Sequence, residues 1–266
     1  MRAMHAVEAA SEASPKRAMV EVRAVSKVYP TGVEALTSIS LDCPEGALTT
    51  LLGPSGCGKT TLLKIIAGLI PATSGEVRVK GKPVSGPGPE RSFVFQDFAL
   101  LPWATVLRNA AFGLELRGVP RSEREAIAER YVAKVGLKGF EHRFPHELSG
   151  GMRQRVGLAR ALAVNADVIL MDEPFSAVDE QTRRKFQEDL LALIANERKT
   201  FIFVTHSIEE AVYVSNRIVL LSRRPSVVSD VIDVELPRGN PDDIRRHPIY
   251  LDTIESIWRG LKRYLD

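Results

Sequence analysis

Cys43 and Cys57 are the only cysteines in a chain of 266 residues. Two thiols cannot staple a chain of this length, and Cys57 stands inside a glycine-rich loop where a bridge would obstruct a ligand. Both therefore read as reduced thiols of a cytoplasmic protein. No apolar run reaches the ~18 residues that a membrane span needs; the best stretch, 62–70, is broken by Lys64 and Gly68. Any membrane role must come through a partner. Long Lys or Arg blocks are missing too, and a formal charge of +3 is too small to argue for nucleic acid. Residues 1–16 are rich in Ala, Ser and Glu without an apolar centre. That excludes a secretory signal and predicts a disordered leader. The sequence contains neither an internal repeat nor a second glycine loop. At 44% hydrophobic and 26% charged, the composition is that of a soluble globular chain able to bury a full core.

What is present alternates. Strand-like segments are expected at 19–25, 38–41 and 47–52, with Pro44 and Gly46 as turn residues. The last runs into a glycine loop, followed by helical spacing of Leu62, Leu63, Ile66 and Leu69 over 59–69, stopped by Pro71. Further strands are expected at 75–79 and 92–95. From about 103 to 164 the pattern turns helical, with a charged periodic stretch at 122–135 and Ser149 capping a helix to Ala163. Strands at 168–171, 200–204 and 217–221 then alternate with helices at 180–195 and 208–214, which implies a parallel α/β sheet. Roughly 110 residues separate Lys59 from Asp172, more than a minimal core needs. A helical subdomain inserted at about 97–165 accounts for them. The main domain then runs over 17–240. The tail, 241–266, carries Leu251, Ile254, Trp258, Leu261 and Leu265 at helical spacing. This predicts an amphipathic helix that packs on its own core or meets a partner or a membrane surface.

Gly53-Pro54-Ser55-Gly56-Cys57-Gly58-Lys59-Thr60 fits the phosphate-binding pattern G-x-x-x-x-G-K-[ST] between a strand and a helix. Its glycines let backbone N–H groups point at phosphate oxygens, and the helix start adds a favourable dipole. Lys59 is the phosphate cation, Thr60 a hydroxyl ligand for Mg²⁺, and Thr61 a secondary phosphate contact. Asp172 ends a buried apolar strand, the place where nucleotides bind in open α/β sheets, and should hold the metal. Glu173 follows as the base that accepts a proton from an attacking water. The chemistry implied is in-line attack of water on the γ-phosphorus of ATP, with no covalent intermediate. Ser149, Gly150 and Gly151 place a hydroxyl and free N–H groups at a helix start, an anion site. Alone, that trio would be an ordinary helix cap. Here it opens Leu148-Ser149-Gly150-Gly151-Met152-Arg153-Gln154-Arg155, about 20 residues before Asp172.

These motifs, in this order over roughly residues 19–225, resemble the ATPase subunit of ABC transporters. The resemblance implies a phosphate-loop NTPase (RecA-like) α/β core, an antiparallel β subdomain and an inserted α-helical subdomain. It also implies that Tyr29 stacks on adenine, that Gln96 contacts Mg²⁺ and relays to a membrane subunit, that 176–179 form a loop across a dimer interface, and that His206 lies near the γ-phosphate. Taken alone, Tyr29 and His206 are weak signals. The partners implied are transmembrane permease subunits and a second ATPase copy, with a solute-binding protein reached indirectly and no nucleic acid. The location implied is the cytoplasmic face of the cell membrane.

Phe95-Gln96-Asp97-Phe98-Ala99-Leu100-Leu101-Pro102-Trp103 and the short tail resemble the nitrate/sulfonate/taurine importer ATPases, which implies import of a small anionic solute. An exporter or lipid-trafficking ATPase of the same fold is the alternative, with a soluble nucleic-acid ATPase further off. The apolar group Phe98, Leu100, Leu101 and Trp103 either docks a permease or fills the subdomain core. Two positions depart from the family pattern. Met152 replaces a Gln that could donate an amide hydrogen bond, and Val178 replaces a Leu.

Overall fold

The computed structural model describes residues 17–176, 178, 180–237 and 240–262. The expected leader at 1–16, Ala177 and Asp179 of the interface loop, and Leu265 of the tail lie outside the described residues. Strands β1 (Ala18–Val28), β2 (Glu34–Pro44) and β3 (Leu48–Leu52) lead into helix α1 (Lys59–Ala67), followed by β4 (Ser74–Val79), β5 (Lys82–Pro83) and β6 (Arg91–Val94). Helices α2 (Val106–Leu116), α3 (Arg121–Lys134) and α4 (Gly150–Ala163) come next. Then come β7 (Val168–Asp172), α5 (Glu180–Asn196), β8 (Thr200–Thr205), α6 (Ile208–Val214), β9 (Arg217–Leu221), β10 (Val228–Asp233), α7 (Pro241–Arg246) and α8 (Pro248–Lys262).

Two sheets form. The larger has the order β10-β9-β3-β8-β7-β6, parallel except for β10, which runs antiparallel to β9 at the edge. The smaller is antiparallel, in the order β2-β1-β4-β5. Both β3 and β8 are buried along their whole length, as strands covered on both faces must be. Successive side chains of a strand point to opposite faces, and the packing follows. Leu51, Val168, Leu170, Ile202, Val204, Val219 and Leu221 join α1 and the small sheet in one core. Their neighbours Leu52, Ile169, Met171, Phe201, Phe203, Ile218 and Leu220 join the helices of the other face in a second. The α/β core, the antiparallel subdomain and the inserted helices expected from the sequence are all present.

Several details differ from expectation. Helix α1 ends at Gly68 (φ +77°), whose N–H bonds back to Ile65 O, three residues before Pro71. A Cβ at Gly68 would sit 2.2 Å from Gly86 O, so the stop is set by packing as well as by left-handed backbone. The edge strand β10 and the two-residue β5 have no expected counterpart. The tail is two helices, split at His247. Its buried residues are Tyr250, Ile257 and Leu261, whereas Leu251 and Trp258 are each 52% exposed. Own-core packing therefore holds for one stripe of α8, on α6 and the second core, and the stripe is rotated from the expected one. Leu251 and Trp258 each follow a buried residue, Tyr250 and Ile257, by one position, and one residue is a rotation of about 100° on a helix of ~3.6 residues per turn.

The segment leading from β6 into α2 is irregular but firmly held. Asn109, fully buried in α2, accepts from Leu101 N–H (2.8 Å) and donates Nδ2–H to the carbonyls of Leu101, Ala104 and Thr105 at 3.0–3.1 Å. Arg160 of α4 donates to Ala99 O (2.6 Å) and Phe98 O (2.7 Å). Phe98 and Ala99 both take positive φ, 66° and 43°, conformations that persist only when surroundings hold them. Arg153 lies over the Phe98 ring at 5.8 Å. Trp103, 70% exposed, projects from this braced segment, so for Trp103 the core-filling reading fails, while Leu100 does pack on the core. Asn109→Ala leaves these loop groups without partners inside a buried site and is expected to cost about 2 kcal/mol or more. A lower urea midpoint at unchanged slope is the measurement that checks it.

Candidate functional site

The phosphate loop leaves β3 at its carboxyl end, and β3 lies between β8 and β9. Gly53 is the first residue of the turn, and a Cβ there would stand 2.7 Å from Leu221 O, which no side chain tolerates. Gly56 and Gly58 take positive φ (73° and 112°). Lys59 is buried, and its Nζ donates to Gly53 O (2.7 Å) and Pro54 O (2.9 Å). Its ammonium is thus fixed at the mouth of its own loop. Cys57 is buried, its thiol pushed up mainly by burial.

Thr60 Oγ1 donates to Asp172 Oδ1 at 2.9 Å. The hydroxyl expected as a metal ligand and the carboxylate expected beside it therefore meet, although far apart in sequence. Burial is the main force raising the Asp172 pKa, opposed by the Thr60 bond. Hard-oxygen donors held together in this way suit Mg²⁺, which is bound by one or two carboxylates plus substrate oxygens rather than by an all-protein cage. Among the described residues no group of three or more His, Cys, Asp and Glu could hold a metal ion by itself.

Glu173 takes φ 44°, a left-handed conformation unusual for a side-chain-bearing residue. Its N–H donates to Val204 O (3.0 Å), and its carbonyl accepts from Ser176 N–H (3.1 Å) and Ser176 Oγ (2.9 Å). These bonds fix the turn and aim the carboxylate. His206 Nδ1 lies 3.3 Å from Glu173 Oε1. The His206 turn is held in its own way. Thr205 Oγ1 donates to buried Glu210 Oε2 (2.6 Å) and accepts from Ser207 N–H (3.0 Å).

Two cavities meet at this edge. The first, about 220 Å³, is lined by Tyr29, Val33, Ala35, Ser55, Gly56, Gly58, Lys59, Thr60, Thr61, Glu173 and Arg224. Tyr29 Oη and Thr61 Oγ1 are 3.0 Å apart, so the aromatic and the loop share a wall. The second, about 610 Å³, is lined by Thr60, Lys64, Phe95, Gln96, Asp97, Phe98, Asp172 and Ser176. Thr60 belongs to both. The structure thus gathers Tyr29, Ser55, Gly56, Gly58, Lys59, Thr60, Thr61 and Glu173 around one space and Gln96, Asp172 and Thr60 around the other, with His206 bridging from Glu173. Gly53 and Pro54 contribute carbonyls that hold Lys59 rather than lining groups, and Cys57 faces inward.

Ser149, Gly150 and Gly151 line neither cavity. Ser149 Oγ caps α4 by accepting from Met152 N–H (3.3 Å). Met152 packs its side chain partly on the core, and a Cβ on Gly151 would come within 3.6 Å of Val178. The two departures from the family pattern therefore stand at one corner of the surface, with Val178 buried there. Sequence reasoning did not single out Lys64 or Arg224. Neither belongs to a motif; only the topology brings them to the cavities.

Glu210 offers a check on the support of this turn. Burial raises its pKa, and the Thr205 bond and Arg183 oppose that. A raised carboxyl pKa contributes stability that is present below the ordinary value and lost as pH rises through the folded value. Glu210→Gln keeps an acceptor for Thr205 and removes the buried charge. The variant is expected to melt about 2 °C or more above the parent at pH 7.5, with the gap closing near pH 4. Thermal melts across that range test it.

A family model described as ABC transporter matches residues 36–176. An uncharacterized ABC transporter ATP-binding protein of Methanocaldococcus jannaschii is 52% identical over 206 residues, covering 77% of this chain and 77% of that one. A taurine import ATP-binding protein of Pseudomonas putida is 45% identical over 247 residues, covering 90% of this chain and 94% of that one. The dimeric structure of a bacterial ABC transporter cassette matches with a TM-score of 0.73 at 33% identity, covering 84% of this chain and 100% of that one.

Proposed function

Because this chain belongs to the ABC transporter family as an ATP-binding, ATP-hydrolysing subunit, we propose that it powers import of a small anionic solute of the taurine, sulfonate or nitrate class. The observation that carries the ATPase part is the single cavity bordered by Tyr29, Lys59, Thr60, Thr61 and Glu173. Import is supported by the similarity to taurine import proteins, 44–45% identical over 90% of this chain. Among the described residues no helix is long and apolar enough to cross a membrane, so the transport path belongs to permease subunits. A solute-binding protein would select the cargo, and the chain would work on the cytoplasmic face.

In this reading Tyr29 receives the adenine, and the N–H groups of the loop with Lys59 receive the phosphates. Thr60, Asp172 and Gln96 would hold Mg²⁺, which supplies charge neutralisation between the phosphates when bound. Glu173 accepts a proton from the water whose oxygen bonds to the γ-phosphorus, opposite the breaking bond to the β–γ bridging oxygen, so that ADP and phosphate leave. His206, beside Glu173 Oε1, orients that carboxylate and reaches toward the γ-phosphate. The anion site at Ser149, Gly150 and Gly151 lines neither cavity, so in this reading a second copy brings its own to complete each ATP. Two ATPs are then shared by two copies set head to tail. Closure of that pair pushes on the permeases through the braced segment that bears Trp103.

Glu173→Gln is expected to bind ATP at parent affinity, to hydrolyse it at least ~100-fold more slowly, and to sediment as a dimer only with ATP. Hydrolysis at the parent rate would remove Glu173 as the base. Trp103→Ala is expected to leave basal ATPase unchanged and to reduce its stimulation by reconstituted permease and loaded binding protein. A parallel fall in both rates would instead return Trp103 to a structural role. The experiment that tests the transport reading is a crosslinked pull-down of Glu173→Gln with ATP from gently solubilised native membranes. A permease with a solute-binding protein supports import. A permease alone points to an exporter or lipid system, and ribosomal or nucleic-acid proteins would overturn transport.

A further inference from the structure

The turn at residues 222–226 borders the nucleotide cavity without belonging to any motif. It follows β9, which pairs in parallel with β3, Leu220 opposite Leu52. The chain leaving β9 therefore emerges at the same sheet edge as the phosphate loop. The turn closes on itself through Ser222 N–H to Val227 O (3.1 Å), Val227 N–H to Ser222 Oγ (3.0 Å) and Ser226 Oγ–H to Ser222 O (3.2 Å). It is also tied to β2. Ser226 N–H donates to Ala35 O (3.1 Å), and Ser226 O accepts from Thr37 N–H (2.9 Å). Ser226 is fully buried. The close approach of Gly53 to Leu221 O presses the phosphate loop onto the end of β9. The turn is thus braced against the phosphate loop on one side and the Tyr29–Ala35 wall on the other.

Arg224 stands on that brace, exposed, and lines the cavity together with the loop. It makes no hydrogen bond or ion pair with any of the described residues. The other cation of the cavity, Lys59, is 5% exposed and already donates to two loop carbonyls. A triphosphate brings several negative charges into this space. A guanidinium presents a planar fork of donors that matches phosphate oxygens, and a rigid backbone lowers the cost of ordering it.

We propose that Arg224 is a further nucleotide-binding residue, its guanidinium pairing with polyphosphate oxygens in the cavity that holds Lys59. The inference rests on the nucleotide-site reading above and extends it to a residue outside every motif.

The test is titration calorimetry of the full chain with ATP and with ADP, at low and at high salt, for the parent, Arg224→Ala, Arg224→Lys and Lys59→Ala. Thermal melts verify that each variant is folded. Arg224→Ala is expected to weaken ATP binding roughly 5- to 10-fold at low salt. Because an exposed charge pair is screened, that deficit should shrink at high salt. Arg224→Lys should recover part of it. Unchanged ATP affinity in Arg224→Ala, or a deficit that salt does not alter, would overturn the proposal. Lys59→Ala separates the two levels. If it loses ATP while Arg224→Ala does not, only the role of Arg224 fails; if Lys59→Ala binds ATP like the parent, the site reading itself fails.

Discussion

The hydrogen bond from Thr60, at the start of the helix that follows β3, to Asp172, at the end of β7, joins residues 112 apart in sequence. Everything at the site depends on that meeting. It occurs because β3 and β7 both flank β8 in one sheet, so their carboxyl ends emerge side by side. The glycine loop caps one strand, and Asp172 with Glu173 caps another. The next strand, β8, ends at the turn that carries His206. A parallel sheet is the only way to deliver these groups to one edge, because each strand must return to start again at the far end. The α-helical crossovers that make those returns cover both faces, and that in turn demands strands apolar on both sides.

The inserted helices illustrate a different economy. Asn109 and Arg160 spend their donors on an irregular segment rather than on solvent, and Arg153 lies over its Phe98 ring. They hold Phe98 and Ala99 in left-handed conformations. A segment fixed in this manner has few alternative shapes, so a displacement at Gln96, where it borders the larger cavity, is carried along it rather than absorbed. The exposed Trp103 sits at the outer end of that stiff path.

Much of this was legible in the sequence, and for physical reasons. The glycine loop, Asp172-Glu173 and the Ser149 cap each have a local chemical signature, and the structure places them on the strand ends and helix start expected. The limits of the central strands could be read because buried parallel strands are continuous apolar runs. What escaped was set by packing. Gly68 ended α1 because Gly86 presses on it, where Pro71 looked the obvious stop. The strand β10 carries exposed residues and lies at an edge, so its pattern is weak. In α8 the core keeps Ile254 and Leu261 of the expected stripe but takes Tyr250 and Ile257 in place of Leu251 and Trp258. Arg224 had no signature at all; its placement follows from strand order, which no local pattern encodes.

A last consequence comes from the sulfur in the phosphate loop. Cys57 is buried beneath the loop with its thiol pushed up by burial, and Cys43, fully enclosed, is pushed up to about 12. Thiolates, not thiols, react with oxidants and alkylating agents. Burial disfavours the thiolate at both positions, so each native sulfur reacts more slowly than an exposed thiol would. A single cysteine introduced on the surface would therefore outpace both native thiols, so a dye or spin label could follow the proposed closure of two copies in an otherwise native chain.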